Sequence, residues 1–175
     1  MPMFELKDLP SYDTLEAFAA RYGNPDVKGL QTWLIWSSAT QEMLSAFEAN
    51  LARACGLSQT QFFVLLLLKR NPDGLSVGAL ADGVSVTSQT MTRMIDRMVG
   101  AGLCSRDVDP ADARARLVKI TPAGEDMLGK ALPSHYAWVA RLMSHFDEDE
   151  RQMLNQLMLK LRKAGVLPGA ATGTD

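Results

Sequence analysis

Apolar and polar positions repeat along this chain with two different periods. From 88 to 99, Met91, Met94, Ile95 and Met98 recur at i, i+3, i+4 and i+7, the spacing of one buried helix face. From 115 to 120, Arg116, Val118 and Ile120 alternate with Ala115, Leu117 and Lys119, the period of a strand with one buried side. A partner strand is predicted over 103–107. Between the two, Asp109-Pro110-Ala111-Asp112 supplies turn chemistry, because Pro fixes φ and Asp bonds its own backbone. A hairpin follows. Upstream, Leu75-Ser76 opens a short helix through Val77, Ala79, Leu80 and Ala81, and the chain turns through Gly83-Val84-Ser85-Val86. Thr87 is an N-cap candidate for the helix beginning at Ser88, and Gly100-Ala101-Gly102 is its stop.

The flanks carry longer helical patterns. A short helix is predicted over 11–21, closed by Gly23-Asn24-Pro25. A long one follows over 26–55, with Trp33, Trp36, Thr40, Leu44, Phe47, Leu51 and Ala54 spaced by threes and fours. Ser58-x-x-Gln61 reads as a capping box for a central helix over 59–70, whose run from Phe62 to Leu68 is apolar nearly all round, a pattern that by periodicity alone also leaves a buried strand open. The stretch 123–144 is helical in pattern, although Pro133 should break or kink it. Asp147-x-x-Glu150 offers another capping box, opening a helix with Met153, Leu154, Leu157, Met158 and Leu161 in one stripe. Residues 165–175 are small and predicted to fray.

Helix, turn, helix and basic hairpin in that order point to duplex DNA. The first turn of the helix from Ser88 is short, polar and mildly basic, which suits side chains that reach base edges and phosphates. Thr87, Ser88, Gln89, Thr92, Arg93 and Arg97 are the candidates there, and Arg106, Arg114 and Arg116 are those of the hairpin. Arginines on a projecting hairpin suit a phosphate backbone or a minor groove. A net charge of −2 runs against this until its distribution is examined. From 87 to 119 there are six basic residues and four acids, so the region carries +2 and the remainder −4. The cation is local.

These residues resemble the winged-helix core of the MarR family (multiple antibiotic resistance regulators). Leu80-Ala81, Thr92-Arg93, Asp96-Arg97-Met98, Gly102-Leu103, Arg106, Asp112-Ala113-Arg114 and Ile120-Thr121 with Gly124 match that family's pattern of recognition helix and wing. Two positions depart from it. One wing arginine is replaced by Ala113, and Ser85 stands where a turn glycine is frequent.

The resemblance implies a mainly α fold with a small β-hairpin wing: a winged helix-turn-helix core with N- and C-terminal dimerisation helices. The expected organisation is an extension at 1–24, a dimerisation helix at 25–56, the DNA-binding core at 57–121, C-terminal dimerisation helices at 122–165 and a tail at 166–175. Unmatched apolar stripes at both ends also suit a closed two-fold contact with a second copy. Family likeness further implies DNA contact through Asp112 as well as the basic residues above. It also implies a crevice for a small aromatic effector, which Trp33, Trp36, Phe62, His135 and Tyr136 could line. The expected protein is a homodimeric regulator, most often a repressor, on a pseudo-palindromic operator.

Other chemistries find little support. There is no nucleophile elbow, phosphate loop, HExxH or CxxC, so neither an enzyme nor a cofactor is expected. His135 and His145 lack partners at metal-ligand spacing. No apolar run approaches the ~18–20 residues of a membrane span. Two cysteines, Cys55 and Cys104, form no disulfide framework, and a cytoplasmic location is expected. The alternatives are a cysteine-based redox-responsive regulator, or a winged-helix interaction module with weak DNA binding.

Overall fold

The computed structural model of the chain describes residues 9–108 and 116–165. Its contacts divide it into two units, Met1–Ala49 and Asn50–Asp175, with the division falling inside the longest helix.

In the first unit, α1 spans Tyr12–Tyr22 and buries Leu15. It is opened by Ser11, whose hydroxyl accepts from the Thr14 N–H, and closed by Gly23 in the left-handed region at φ 73°. The long helix α2 runs Val27–Cys55. The Gly29 N–H donates to Asp26 Oδ1 at 2.8 Å, so Asp26 satisfies one of the free N–H groups of its first turn.

The second unit holds the core. α3, Gln59–Arg70, starts on the predicted capping box with both hydrogen bonds present and buries Phe62, Val64, Leu65 and Leu68. The run over 62–68 is therefore helix, not strand. α4 spans Val77–Gly83 and α5 spans Ser88–Gly100. Met91, Ile95 and Met98 of α5 have no exposed surface, so the predicted stripe meets Leu80, Ala81 and their neighbours in one apolar interior. Each such side chain contributes about 1.5–3 kcal/mol over its exposed state. β1, Cys104–Val108, pairs antiparallel with β2, Arg116–Ile120, in register from Cys104 opposite Ile120 to Val108 opposite Arg116. α6 covers Pro122–Met143 and α7 covers Glu148–Lys163.

Three local expectations need correction. Leu75 does not open α4. It forms a bridge to the hairpin, its N–H donating to the Val118 carbonyl at 3.0 Å and its carbonyl accepting from Val118 at 2.8 Å. Gly74 permits this approach: at φ +98° a Cβ would press to 3.0 Å on Leu117, Lys119 and the Val118 carbonyl. Second, β1 begins and ends one residue later than predicted, because the Leu103 N–H still closes the end of α5 on the Met98 carbonyl. Third, Pro133 does not break α6, which is continuous around it. An interior proline costs about 3 kcal/mol. Contacts on both sides offset it: Leu128 and Ala131 are buried before it, and after it the Ser134 hydroxyl donates to Asn50 Oδ1 at 3.3 Å and the His135 ring lies 5.0 Å from Phe62.

α7 begins on the predicted box of Asp147 and Glu150 yet buries none of its residues. Among the described residues no single helix is long and apolar enough to cross a membrane.

Candidate nucleic-acid interface

The N-terminus of α5 is set by Thr87, whose hydroxyl accepts from the Thr90 N–H at 3.2 Å and lies 2.9 Å from the Thr90 hydroxyl. Thr92 donates its hydroxyl to the Ser88 carbonyl at 2.8 Å, leaving its lone pairs outward. With the opposite stripe locked in the core, Ser88, Gln89, Thr92 and Arg93 stand exposed along the first turn and a half, and Arg97 lies exposed further on. These are the predicted reading residues, and one helix presents them together.

Ahead of them the α4–α5 turn contains Ser85 at φ 57°, the single non-glycine residue in the left-handed region among those described. Its N–H donates to the Asp82 carbonyl at 3.3 Å, and the next N–H, of Val86, donates to the Ala81 carbonyl at 3.0 Å. The conformation that favours glycine is thus present and held by serine, at a cost of about 1 kcal/mol.

Arg106 has a role beyond the phosphate contact expected of it. On β1, its Nη1 lies 2.6 Å from Asp96 Oδ1, and Asp96 projects from the same side of α5 as Gln89 and Thr92. A bare carboxylate there would repel phosphate, so the pair neutralises it and ties the hairpin to the helix. Both groups are partly solvated, and the pair is worth under about 1 kcal/mol of fold stability. Sequence reasoning missed this. The available signal was a single acid, Asp96, standing four residues after Thr92 on a helix face otherwise suited to an anion.

Arg116 is exposed at the start of β2, the end of the strand next to the turn, opposite Val108. Asp112 and Arg114, with the rest of the turn at 109–115, lie outside the described residues. At the root of the hairpin, Thr121 donates its hydroxyl to the Gly102 carbonyl at 2.5 Å and accepts from the Gly124 N–H at 3.1 Å. A Cβ on Gly124 would collide with the Leu103 carbonyl, so only glycine lets α6 start this close.

The predicted effector residues fall into two groups. In the first unit, Trp33 and Trp36 meet edge to face with ring centroids 6.0 Å apart; Trp33 is exposed and Trp36 half-buried. In the second, His135 touches Phe62 and Tyr136, and also stacks on Trp138 at 6.4 Å, a neighbour the sequence did not suggest. Phe62 has no exposed surface and packs beneath the His135 ring. Desolvation lowers the His135 pKa, favouring the neutral ring. Of the cysteines, Cys55 donates to the Leu51 carbonyl at 3.3 Å, while burial pushes the Cys104 thiol up to about 11, Arg106 offsetting a smaller part. That leaves little thiolate at neutral pH and argues against Cys104 as a redox sensor.

Comparison with known proteins accounts for this arrangement. The family model for the MarR family matches residues 57–115, the segment from α3 into the hairpin. The HTH-type transcriptional repressor YetL of Bacillus subtilis (strain 168) is 30% identical over 155 residues, covering 88% of this chain and 92% of that one. A crystal structure of a MarR family transcriptional regulator from Silicibacter pomeroyi shares 27% identity at a TM-score of 0.61, over 75% of this chain and 90% of that one. Sco3205, a MarR family regulator of Streptomyces coelicolor solved in complex with DNA, has the same fold at a TM-score of 0.75, with 18% identity over 83% and 92% of the two chains. A likeness that runs through both flanks as well as the winged core makes the assignment: the chain belongs to the MarR family of DNA-binding, winged-helix transcriptional regulators.

Proposed function

We propose that this chain is a homodimeric, sequence-specific repressor that binds a pseudo-palindromic operator and is released by a small aromatic effector. The observation that carries the reading is the reading face of α5. Ser88, Gln89, Thr92 and Arg93 are exposed on it, its one acid is neutralised by Arg106, and Arg116 flanks it on the hairpin. In this reading the helix enters the major groove and Gln89 and Arg93 meet base edges. Thr87, Ser88, Thr92 and Arg97 position the helix on phosphates, while Arg106, Asp112, Arg114 and Arg116 serve the wing. Repression accords with the name of the Bacillus subtilis relative. The effector would meet either Trp33 and Trp36 on α2 or His135 and Tyr136 on α6 beside Phe62, within the cytoplasm.

The test is fluorescence anisotropy of the full chain on a labelled duplex from its own promoter region, with sedimentation of the free protein. The expected result is a dimer, half-sites about one helical turn (~10 base pairs) apart, and affinity that falls steeply with salt. A monomer at micromolar concentration without binding to that duplex overturns the reading.

A further inference from the structure

The hairpin has two faces. By alternation and register, Cys104, Arg106 and Val108 of β1 share one with Arg116, Val118 and Ile120 of β2. That face is turned to α5: Cys104 and Val118 are buried on it, and Arg106 reaches Asp96 from it. Cover ends at the pair of Arg106 and Val118. The next pair outward, Val108 opposite Arg116, stands about 7 Å further along the strands, and there Val108 is 52% exposed. A threonine of the same shape would serve a solvated strand end equally well.

What sets Val108 apart from other exposed apolar side chains is its place. Ser88, Gln89, Thr92 and Arg93 occupy the start of α5, and Asp96, where the hairpin is tied on, lies about 12 Å beyond Ser88 along the helix axis. The major groove is about 12 Å wide. With the start of α5 in that groove, the outer pair of the hairpin lies past its edge, over the sugars that wall the neighbouring minor groove. Those walls are deoxyribose C–H surfaces between phosphates, and an apolar side chain opposite an arginine matches both. The arginines of the hairpin account for the charge. Val108 offers nothing to phosphate and suits the sugars and the groove floor.

We infer that Val108 is a specificity-determining residue: its methyl groups rest in the minor groove flanking each half-site, on deoxyribose and on a floor that lacks the guanine 2-amino group. That amino group is what G·C adds to the minor groove, so it crowds an apolar side chain where A·T leaves room. The inference rests on the operator reading above and concerns the base pairs beside those that Gln89 and Arg93 would read.

The test uses the full chain on operator duplexes whose flanking pair is A·T, G·C or inosine·C, the last being G·C without the 2-amino group. The native protein should bind A·T and inosine·C alike and G·C about fivefold more weakly. Val108→Ala should weaken binding to the A·T duplex about threefold, leave the salt slope unchanged and cut the discrimination to under about twofold. Its melting temperature should stay that of the native chain, because the side chain is exposed. Arg116→Ala should do the converse, lowering the salt slope by about one while keeping the discrimination. Hydroxyl-radical cleavage should find sugars beyond each half-site protected by the native chain and open with Val108→Ala, while protection of guanine N7 from dimethyl sulfate in the major groove persists. The inference is overturned if Val108→Ala keeps the sugars protected or the discrimination intact, or if inosine·C binds as weakly as G·C. Absence of N7 protection by the native chain would overturn the operator reading, and this inference with it.

Discussion

α5 and α7 are both amphipathic, both capped by a side chain at the N-terminus, and similar in length, yet they end in opposite situations. α5 places Met91, Ile95 and Met98 wholly inside, while α7 leaves Met153, Leu154 and Leu157 exposed. Period and caps set whether a helix forms and which side is apolar. They do not decide whether the same chain supplies the cover. α5 meets α4 and β1 within its own unit. α7 offers an apolar groove of about 500 Å³ between Phe146 and Leu157 that nothing among the described residues fills, the situation that a closed two-fold contact resolves.

The contrast can be broken at its strongest point by truncating each face. Ile95→Ala should lower the unfolding free energy by about 3 kcal/mol in urea titrations, independent of protein concentration. Leu157→Ala should instead show a cost that shrinks on dilution, because it acts through association and vanishes once the native chain is monomeric too. Equal costs at every concentration would erase the distinction. Next, Leu154→Asp with Leu157→Asp should halve the sedimenting mass and weaken operator binding about a hundredfold, near 2.7 kcal/mol, while the thermal transition of the winged core survives. A dimer that persists would move the interface elsewhere.

Smaller effects sharpen the α5 side. Arg106→Ala should weaken operator binding about tenfold, and adding Asp96→Asn should restore most of it, since the loss is repulsion by an unmasked acid. Loss without rescue would mean that Arg106 acts chiefly on the DNA. Cys104→Ser is not needed for the last test. At pH 8.5 iodoacetamide should modify Cys104 about a hundredfold more slowly than an unfolded thiol, as its rise from 9.0 to about 11 implies. The sign for stability follows: this contribution is complete below pH 9, where both states hold the proton, and is lost as pH rises from 9.0 towards about 11. Rapid labelling of the folded chain would contradict that burial.

Most elements were legible because their signals are local. Ser58 with Gln61, Thr87, and Asp147 with Glu150 cap helices within one turn of themselves, and a three-residue pattern suffices to see it. What escaped depends on partners distant in the chain. Leu75 is a strand residue only because Val118 lies beside it, and Pro133 is tolerated only because Asn50 and Phe62 grip the next turn. The candidate site shows the same split. Gln89 and Arg93 declare themselves by their place on α5, but Arg106 declares its bond to Asp96 only in three dimensions. Aromatic character alone did not show that Phe62 faces inward, where it is wholly buried.

The hairpin is fastened at three places: Leu75 to Val118, Arg106 to Asp96, and Thr121 to Gly102. In mechanical terms this makes wing and recognition helix one rigid jaw rather than two fingers. A load applied at the wing tip is carried into α5 as torque, not absorbed at a hinge. Such a jaw cannot adjust the gap between its own teeth, so adaptation to a new half-site must come from changing the side chains it carries. In the proposed dimer, adaptation to a new half-site spacing would come from how far apart the two jaws are held.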